Sequence, residues 1–347
     1  CVAWALAASL GGRSRSTGTA LVTGGLTACG LLLKPVAAAP LGFLAAVDAA
    51  ERWRGNGRPT AVAFLSRWVA AVACGVAPVM IWCVLRAGNE AVSDALIRYN
   101  LAYKQGTLLA NILELARIGS RLPASSISVI GLLAIAAILG LIQMEAPERR
   151  RILAVILGSM VAVAAPGRFY PHYYQMLLPP LVLAAAIGFT KVLIHSGIRR
   201  YAAITMLAVL GFIQVSSLRL PPDEWSRRKY GDVFLDEMRL ADYLKTHLEP
   251  GDFFWQLAAQ PGLYLLTETV PSSGVVYDYP LLPGSPVRCR LARRVLADLK
   301  ESPPTKVLIR RGRLRKVDGG IGTWIRRNYR VVEGDCPVRP FQLLSLI

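Results

Sequence analysis

Seven apolar blocks parted by short polar loops lie between residues 18 and 217, and this alternation constrains the fold more than any single motif. The blocks run at about 18–33, 36–50, 61–86, 126–143, 151–166, 175–194 and 201–217. A helix that crosses a hydrocarbon core needs roughly 20 apolar residues, a length that 61–86 and 175–194 supply. The blocks 18–33 and 36–50 are short and separated by Lys34-Pro35. They fit two tilted helices, or a re-entrant pair whose broken backbone is shielded by protein. Residues 1–10 read as the second half of a further helix, and a chain opening in mid-pattern on Cys1 reads as a fragment lacking its amino-terminal part. A charged n-region and a small-residue cleavage site are both absent from the start.

The loops sort by charge. Arg13 and Arg15, then Arg52, Arg54 and Arg58, then Arg149, Arg150 and Arg151, then Lys191, Arg199 and Arg200 fall on one side if the helices alternate. Loops enriched in Lys and Arg face the cytoplasm. Lys34, the 87–125 loop, the 168–174 loop and everything after about residue 218 then face outward. The expected fold class is mainly α: a polytopic membrane helical domain over 1–217, followed by a small α/β extracytoplasmic domain over 218–347. A multi-pass protein of a bacterial inner (plasma) membrane fits this layout. So does a chain that is 54% hydrophobic, with only 18% charged residues. A net charge of +18 raises nucleic acid as a partner. Cations confined to short loops argue against it, and no nucleic-acid partner is expected.

Residues 218–347 change character, with 21 Lys and Arg against 15 Asp and Glu and no span-length apolar run. Periodicity predicts helices at 232–247, 290–301 and 321–328, and a helical turn opened by Pro261. Strands are expected at 253–257, 275–279, 306–310, 329–332 and 341–346. Short strands alternating with helices indicate a small α/β domain. Cys289 and Cys336 lie in this outward tail, where an oxidising compartment permits a disulfide, although sequence does not fix their separation. No Cys/His spacing for zinc appears, and three histidines (His172, His195, His247) leave little room for metal chemistry.

The densest constellation is Arg168, Tyr170, His172, Tyr173 and Tyr174, just before a helix opened by Pro179-Pro180. Arginine offers a fork of donors matched to phosphate oxygens. An ordinary aromatic belt with one snorkelling arginine has the same composition. Lys34, between two apolar blocks, is either a functional intramembrane cation or a snorkelling one. The 87–125 loop, with Arg98, Tyr99, Tyr103 and Lys104, reads as an amphipathic helix over a substrate cleft or as a plain connection. The basic run from Arg310 to Lys316 reads as a contact with anionic lipid or as a solvated surface. Only Glu90, Asp94 and Glu114 among the acidic residues of 1–217 could meet an external substrate, and none stands in a tight pair. No convincing catalytic base emerges.

Four pieces, in order, resemble one family. They are 25–35 (GLTACGLLLKP), 87–103 with its aromatic-Asn-x-x-Tyr ending at Tyr99 to Tyr103, and 168–180 with Arg-aromatic, His-Tyr and Leu-Pro-Pro. The fourth is 236–309, with Ala241-Asp242-Tyr243-Leu244, Pro250-Gly251-Asp252, Leu263-Tyr264-Leu265-Leu266 and Pro303-Pro304. Together they resemble the polyprenyl-phosphate-dependent glycosyltransferases of the GT-C superfamily, the protein-mannosyltransferase and aminoarabinose-transferase-like group. The resemblance implies transfer of a sugar from an undecaprenyl- or dolichyl-phosphate carrier to an acceptor glycan, lipid or protein on the outer face. It implies Lys34, Arg168, His172 and Tyr173 as donor-phosphate contacts, and Tyr99 and Tyr103 as cleft residues. The family's general base is an acidic residue on its first outward loop, where proton removal contributes ~10²–10⁴-fold. That loop would precede Cys1, so this chain alone is expected to be inactive. No bound cofactor is expected, and divalent-metal dependence stays open. A transporter or flippase of lipid-linked sugars, or a membrane scaffold with an extracytoplasmic binding domain, are the competing classes.

Overall fold

The computed structural model is mainly helical, with a small mixed sheet near the carboxyl terminus. It describes all residues except 12–16, 120–123, 195–196, 198–199, 202–203, 206, 210, 213–214, 216–218, 259, 318–319 and 333–335. The chain divides into two compact units, Cys1–Val92 with Lys104–Gln214, and Ser93–Tyr103 with Val215–Ile347. The division lies near the expected boundary after 217. Ser93–Tyr103, expected within the membrane domain, instead belongs to the second unit.

Helices of the first unit are α1 (Val2–Gly11), α2 (Thr17–Leu33), α3 (Ala38–Asn56) and α4 (Arg58–Ala87), with α7 (Leu108–Gly119), α8 (Ala124–Gln143), α9 (Ala146–Ala164) and α10 (Leu178–Ile194). Between α4 and α7 run α5 (Asn89–Ser93), a π-helical stretch Asp94–Arg98 and α6 (Tyr99–Tyr103). Six of the seven apolar blocks are thus helical, and the described residues of 201–217 (201, 204–205, 207–209, 211–212 and 215) are helical as well. Among the described residues two helices are long and apolar enough to cross a membrane, Arg58–Ala87 and His172–Thr190. Two of the seven expected spans meet that standard over the described residues. Three of the others fall short for visible reasons: α2 has 17 residues, while α3 carries Asp48, Glu51, Arg52 and Arg54, and α9 carries Glu148, Arg149, Arg150 and Arg151 near its start.

Small residues set how closely these helices pack. A Cβ on Gly188 of α10 would lie 2.7 Å from the Gly140 nitrogen of α8, and one on Gly158 of α9 would lie 2.5 Å from Pro40 Cα of α3. At these positions the helices approach backbone against backbone, which only small residues permit. Val2, Leu6, Leu41, Leu44, Ile152 and Val155 form the apolar centre where α1, α3 and α9 meet. One polar network sits beside it. Ser9 donates to Asp48 at 2.8 Å and Arg151 Nε donates to Asp48 at 2.7 Å. The same guanidinium reaches Glu51 at 2.8 Å, which also holds Arg150. Asp48 and Arg151 are 3% and 6% exposed, so each neutralises a partner that water cannot reach.

The second unit contains α11 (Pro222–Tyr230), α12 (Val233–Lys245), β1 (Phe254–Leu257), α13 (Gly262–Leu266), α14 (Arg288–Glu301), β2 (Lys306–Arg310), α15 (Ile321–Asn328), β3 (Tyr329–Val331) and β4 (Phe341–Leu346). The strand order is β1-β2-β4-β3, with β1 and β2 parallel and the other two pairs antiparallel. Alternation along the strands feeds both faces. Trp255, Val307, Ile309 and Leu344 pack with Ala292, Val295 and Leu299 of α14 and with Ile321 and Ile325 of α15. Phe254, Leu308 and Leu343 pack with Leu240 and Leu244 of α12 and Leu263 of α13. The expected strand at 275–279 is not formed. No neighbouring strand pairs with that stretch, which leads into a short 3₁₀ turn, Tyr279–Leu281, where Pro280 sits near the start and needs no N–H partner.

Candidate functional site

Two polar clusters stand out, one in each unit. The first begins at Lys34, an extended residue (φ −158°, ψ 106°) that ends α2, because the residue before proline is pushed out of the helical region. Its other half is the turn after α9. There Gly167 (φ 65°) and Phe169 (φ 47°) flank Arg168 in left-handed backbone. Such geometry is unusual for phenylalanine and must be held by its surroundings. It is braced from one side by the segment before α7. Gln105 N–H donates to the Pro166 carbonyl at 3.0 Å, and Asn111 Nδ2 donates to the Gln105 carbonyl at 2.7 Å. A Cβ on Gly167 would strike that same carbonyl, which reserves the position for glycine. From the other side Phe169 packs on Leu115 and Val163.

The 3₁₀ turn Pro171–Leu177 then delivers the rings. His172 meets Tyr173 edge-on with centroids 4.4 Å apart, and Tyr170 stacks on His172 at 5.7 Å. The Lys34 ammonium sits over the Tyr173 ring at 5.2 Å, a cation–π contact. Lys34 forms no ion pair among the described residues. Tyr174 Oη is buried there without a hydrogen-bond partner among them. Lys34, His172 and Tyr173 are therefore in contact, and Arg168 stands half-buried on the constrained turn four residues before His172. An ammonium without an ion-pair partner among the described residues, with ring donors beside it and a guanidinium on the adjoining turn, has the chemistry to bind an anion. The sequence pointed to Tyr174 within the constellation but gave no sign that its hydroxyl is unpartnered.

Tyr99 and Tyr103 belong to the second unit, whereas Lys34, Arg168, His172 and Tyr173 belong to the first. The two tyrosine rings lie 5.9 Å apart. Asp94, one turn before them, is 5% exposed and paired with Arg98 at 2.9 Å and with Arg290 of α14. Tyr277 and Tyr279 stack at 4.9 Å. Burial pushes the Tyr277 hydroxyl up to about 12, and the neighbouring Tyr279, Tyr99, Asp278 and Tyr103 add to the shift. Asp278, between these tyrosines, points inward at 1% exposure. Burial raises its pKa against the opposing pull of Arg313 and Arg310. Arg313 Nε lies 3.4 Å from its Oδ2, an ion pair too poorly aligned to be a hydrogen bond. The Arg313 guanidinium also covers the Tyr279 ring at 5.3 Å. The basic run is therefore not uniformly solvated. Asp94, Asp278 and Arg290 were not marked as site residues by sequence, since no local spacing links residues so far apart.

No disulfide joins Cys289 and Cys336. Cys289 lies on α14, which covers one face of the sheet, while Cys336 packs in the core on the other face, so the sheet separates them. Among the described residues no group of His, Cys, Asp and Glu is placed to hold a metal ion. Comparison with family models, curated proteins and solved structures found no match to this chain.

Proposed function

We propose that the chain is a polytopic membrane glycosyltransferase of the GT-C type. It takes a sugar from a polyprenyl-phosphate-linked donor and places it on an acceptor at the outer face, with the tail extracytoplasmic. The observation that supports this most is the Lys34 ammonium on Tyr173, without a counter-ion among the described residues, beside His172 and the constrained Arg168 turn. Cations and aromatic donors near the end of an apolar helix suit a lipid-borne phosphate better than a soluble metabolite.

In such a transfer the acceptor oxygen attacks the anomeric carbon, and the bond from that carbon to the phosphate oxygen breaks. The electron pair leaves on the phosphate, and the acceptor proton passes to a base. Lys34 and Arg168 would hold the phosphate as its charge grows, with His172 and the Tyr173 and Tyr174 hydroxyls supplying further donors. Preorganised charges of this kind commonly contribute the largest share of a barrier reduction. None of the residues assigned here is the base.

The test is sugar transfer from a polyprenyl-phosphate donor by the protein. Arg168→Ala and His172→Ala should each cut turnover at wild-type expression. Unchanged turnover in both removes the turn from the site. A transporter of lipid-linked sugars would move the donor across a bilayer without transferring the sugar.

A further inference from the structure

Helix α12 has two apolar faces and the tail covers only one. Leu240, Ala241 and Leu244 enter the core beneath the sheet. On the outer side Val233, Phe234 and Met238 are 52%, 46% and 53% exposed, and Trp225 and Tyr230 of α11 extend the patch at 37% and 44%. The rings are ordered among themselves: Tyr230 meets Phe234 edge-on at 4.9 Å and Trp225 at 6.2 Å. Lys229 lies over both, 4.6 Å from the Trp225 ring and 5.0 Å from the Tyr230 ring. Arg227 and Arg239 at the margins are already paired, with Asp232 and Asp236.

We infer that this α11–α12 face seats in the headgroup layer of the membrane. Three features name lipid as the occupant. The patch begins within a few residues of the apolar block 201–217, so the chain reaches α11 close to where that block ends. Its composition is that of an interfacial anchor, with Trp and Tyr beside a lysine whose stem lies along apolar rings and whose charge can snorkel to phosphates. Arg227 and Arg239 are paired within the unit, so neither calls for an acidic protein partner. A face of this kind buries its apolar side chains roughly 5–10 Å into the headgroup boundary. The inference rests on the proposed membrane location and adds that the tail is docked on the bilayer rather than free above it.

The experiment uses the full chain in nanodiscs of phosphatidylcholine and phosphatidylglycerol, with native cysteines replaced and a bimane probe on single cysteines. Phe234→Cys and Met238→Cys carry the probe in the patch. Lys300→Cys, exposed on α14, serves as the aqueous control. Val69→Cys, 55% exposed on α4, serves as the bilayer control. Probes at 234 and 238 should lose most of their fluorescence to headgroup-region spin-labelled lipid and resist iodide, with the reverse at 300. Iodide access equal to that at 300 overturns the inference. So does protection without lipid quenching, which would assign the cover to protein, whether a second copy or the rest of the chain. Quenching at 69 alone leaves the chain in the membrane with its tail undocked. The probe at 69, about midway along α4, is read with acyl-chain spin-labelled lipid, and no quenching there removes the bilayer itself and both proposals with it.

Discussion

Arg290 of α14 donates to the carboxylate of Asp94, 196 residues earlier in the chain, and so ties the segment bearing Tyr99 and Tyr103 to the second unit. Asp94 opens a π-helical stretch, a rare form that recurs at functional positions, and Arg98 closes the same carboxylate from within it. Removing Arg290 leaves a nearly buried carboxylate with one half-exposed partner. Arg290→Ala should destabilise the 93–103 segment by about 1–3 kcal/mol, the range for a charged hydrogen bond lost from a buried group. Hydrogen exchange should show faster opening of 93–103. A double cycle with Asp94→Ala should show strong coupling, because the two side chains act on one interaction. Unchanged exchange in Arg290→Ala would mean that the loop is held by something else.

The Asp48–Arg151 pair is more deeply buried and joins α3 to α9. Truncating one partner of a buried pair strands the other charge, at a cost of roughly 3–5 kcal/mol. Arg151→Ala and Asp48→Ala should therefore both lower the thermal midpoint strongly in detergent. Ser9→Ala removes one neutral donor and should cost nearer ~1 kcal/mol. Comparable midpoints for Arg151→Ala and Ser9→Ala would contradict the role given to the ion pair.

Glu237 of α12 is 8% exposed, and burial raises its pKa although the Gly262 and Leu263 N–H groups donate to it. Asp278 is shifted in the same direction, again mainly by burial. A carboxyl whose folded pKa lies above its unfolded value binds more protons when folded. Its contribution is fully present below the ordinary carboxylate range and is lost as pH rises through the raised folded value. The second unit should thus gain from Glu237→Gln at neutral pH and gain little near pH ~4, where the native side chain is already protonated. Denaturant unfolding of the full chain across that range checks it. A gain that grows toward acid would reverse the sign.

Gly140 and Gly188 face each other across α8 and α10 without room for a methyl group. Gly188→Ala should push the helices apart and cost about 1–3 kcal/mol, as overpacking does. Gly211, with nothing within 4 Å of an added Cβ, should accept alanine with little change. Equal midpoints for the two variants would show that the α8–α10 contact is looser than its geometry.

Apolar blocks and tail periodicity were legible because they are local: β2 spans Lys306–Arg310 and α15 spans Ile321–Asn328, as the pattern predicts. At 275–279 the alternation looked like a strand, but no neighbouring strand pairs with it. The site was legible only in part. Lys34 and the 168–174 constellation could be found because each is anomalous in its own neighbourhood. Their contact through Tyr173 could not, since it depends on how α2 and the turn after α9 meet. The Asp94–Arg290 link had no local trace, and it moved Tyr99 and Tyr103 out of the unit in which sequence had placed them.

Binding of a polyprenyl phosphate to the chain in nanodiscs tests the proposed donor site most directly, because it needs neither acceptor nor catalytic base. Loss of one charged contact to phosphate corresponds to about 1.5–3 kcal/mol. Lys34→Ala and Arg168→Ala should therefore each weaken binding by roughly ten- to a hundredfold, while Arg290→Ala leaves it unchanged. Wild-type affinity in both Lys34→Ala and Arg168→Ala would contradict the assignment of this cluster to the donor phosphate.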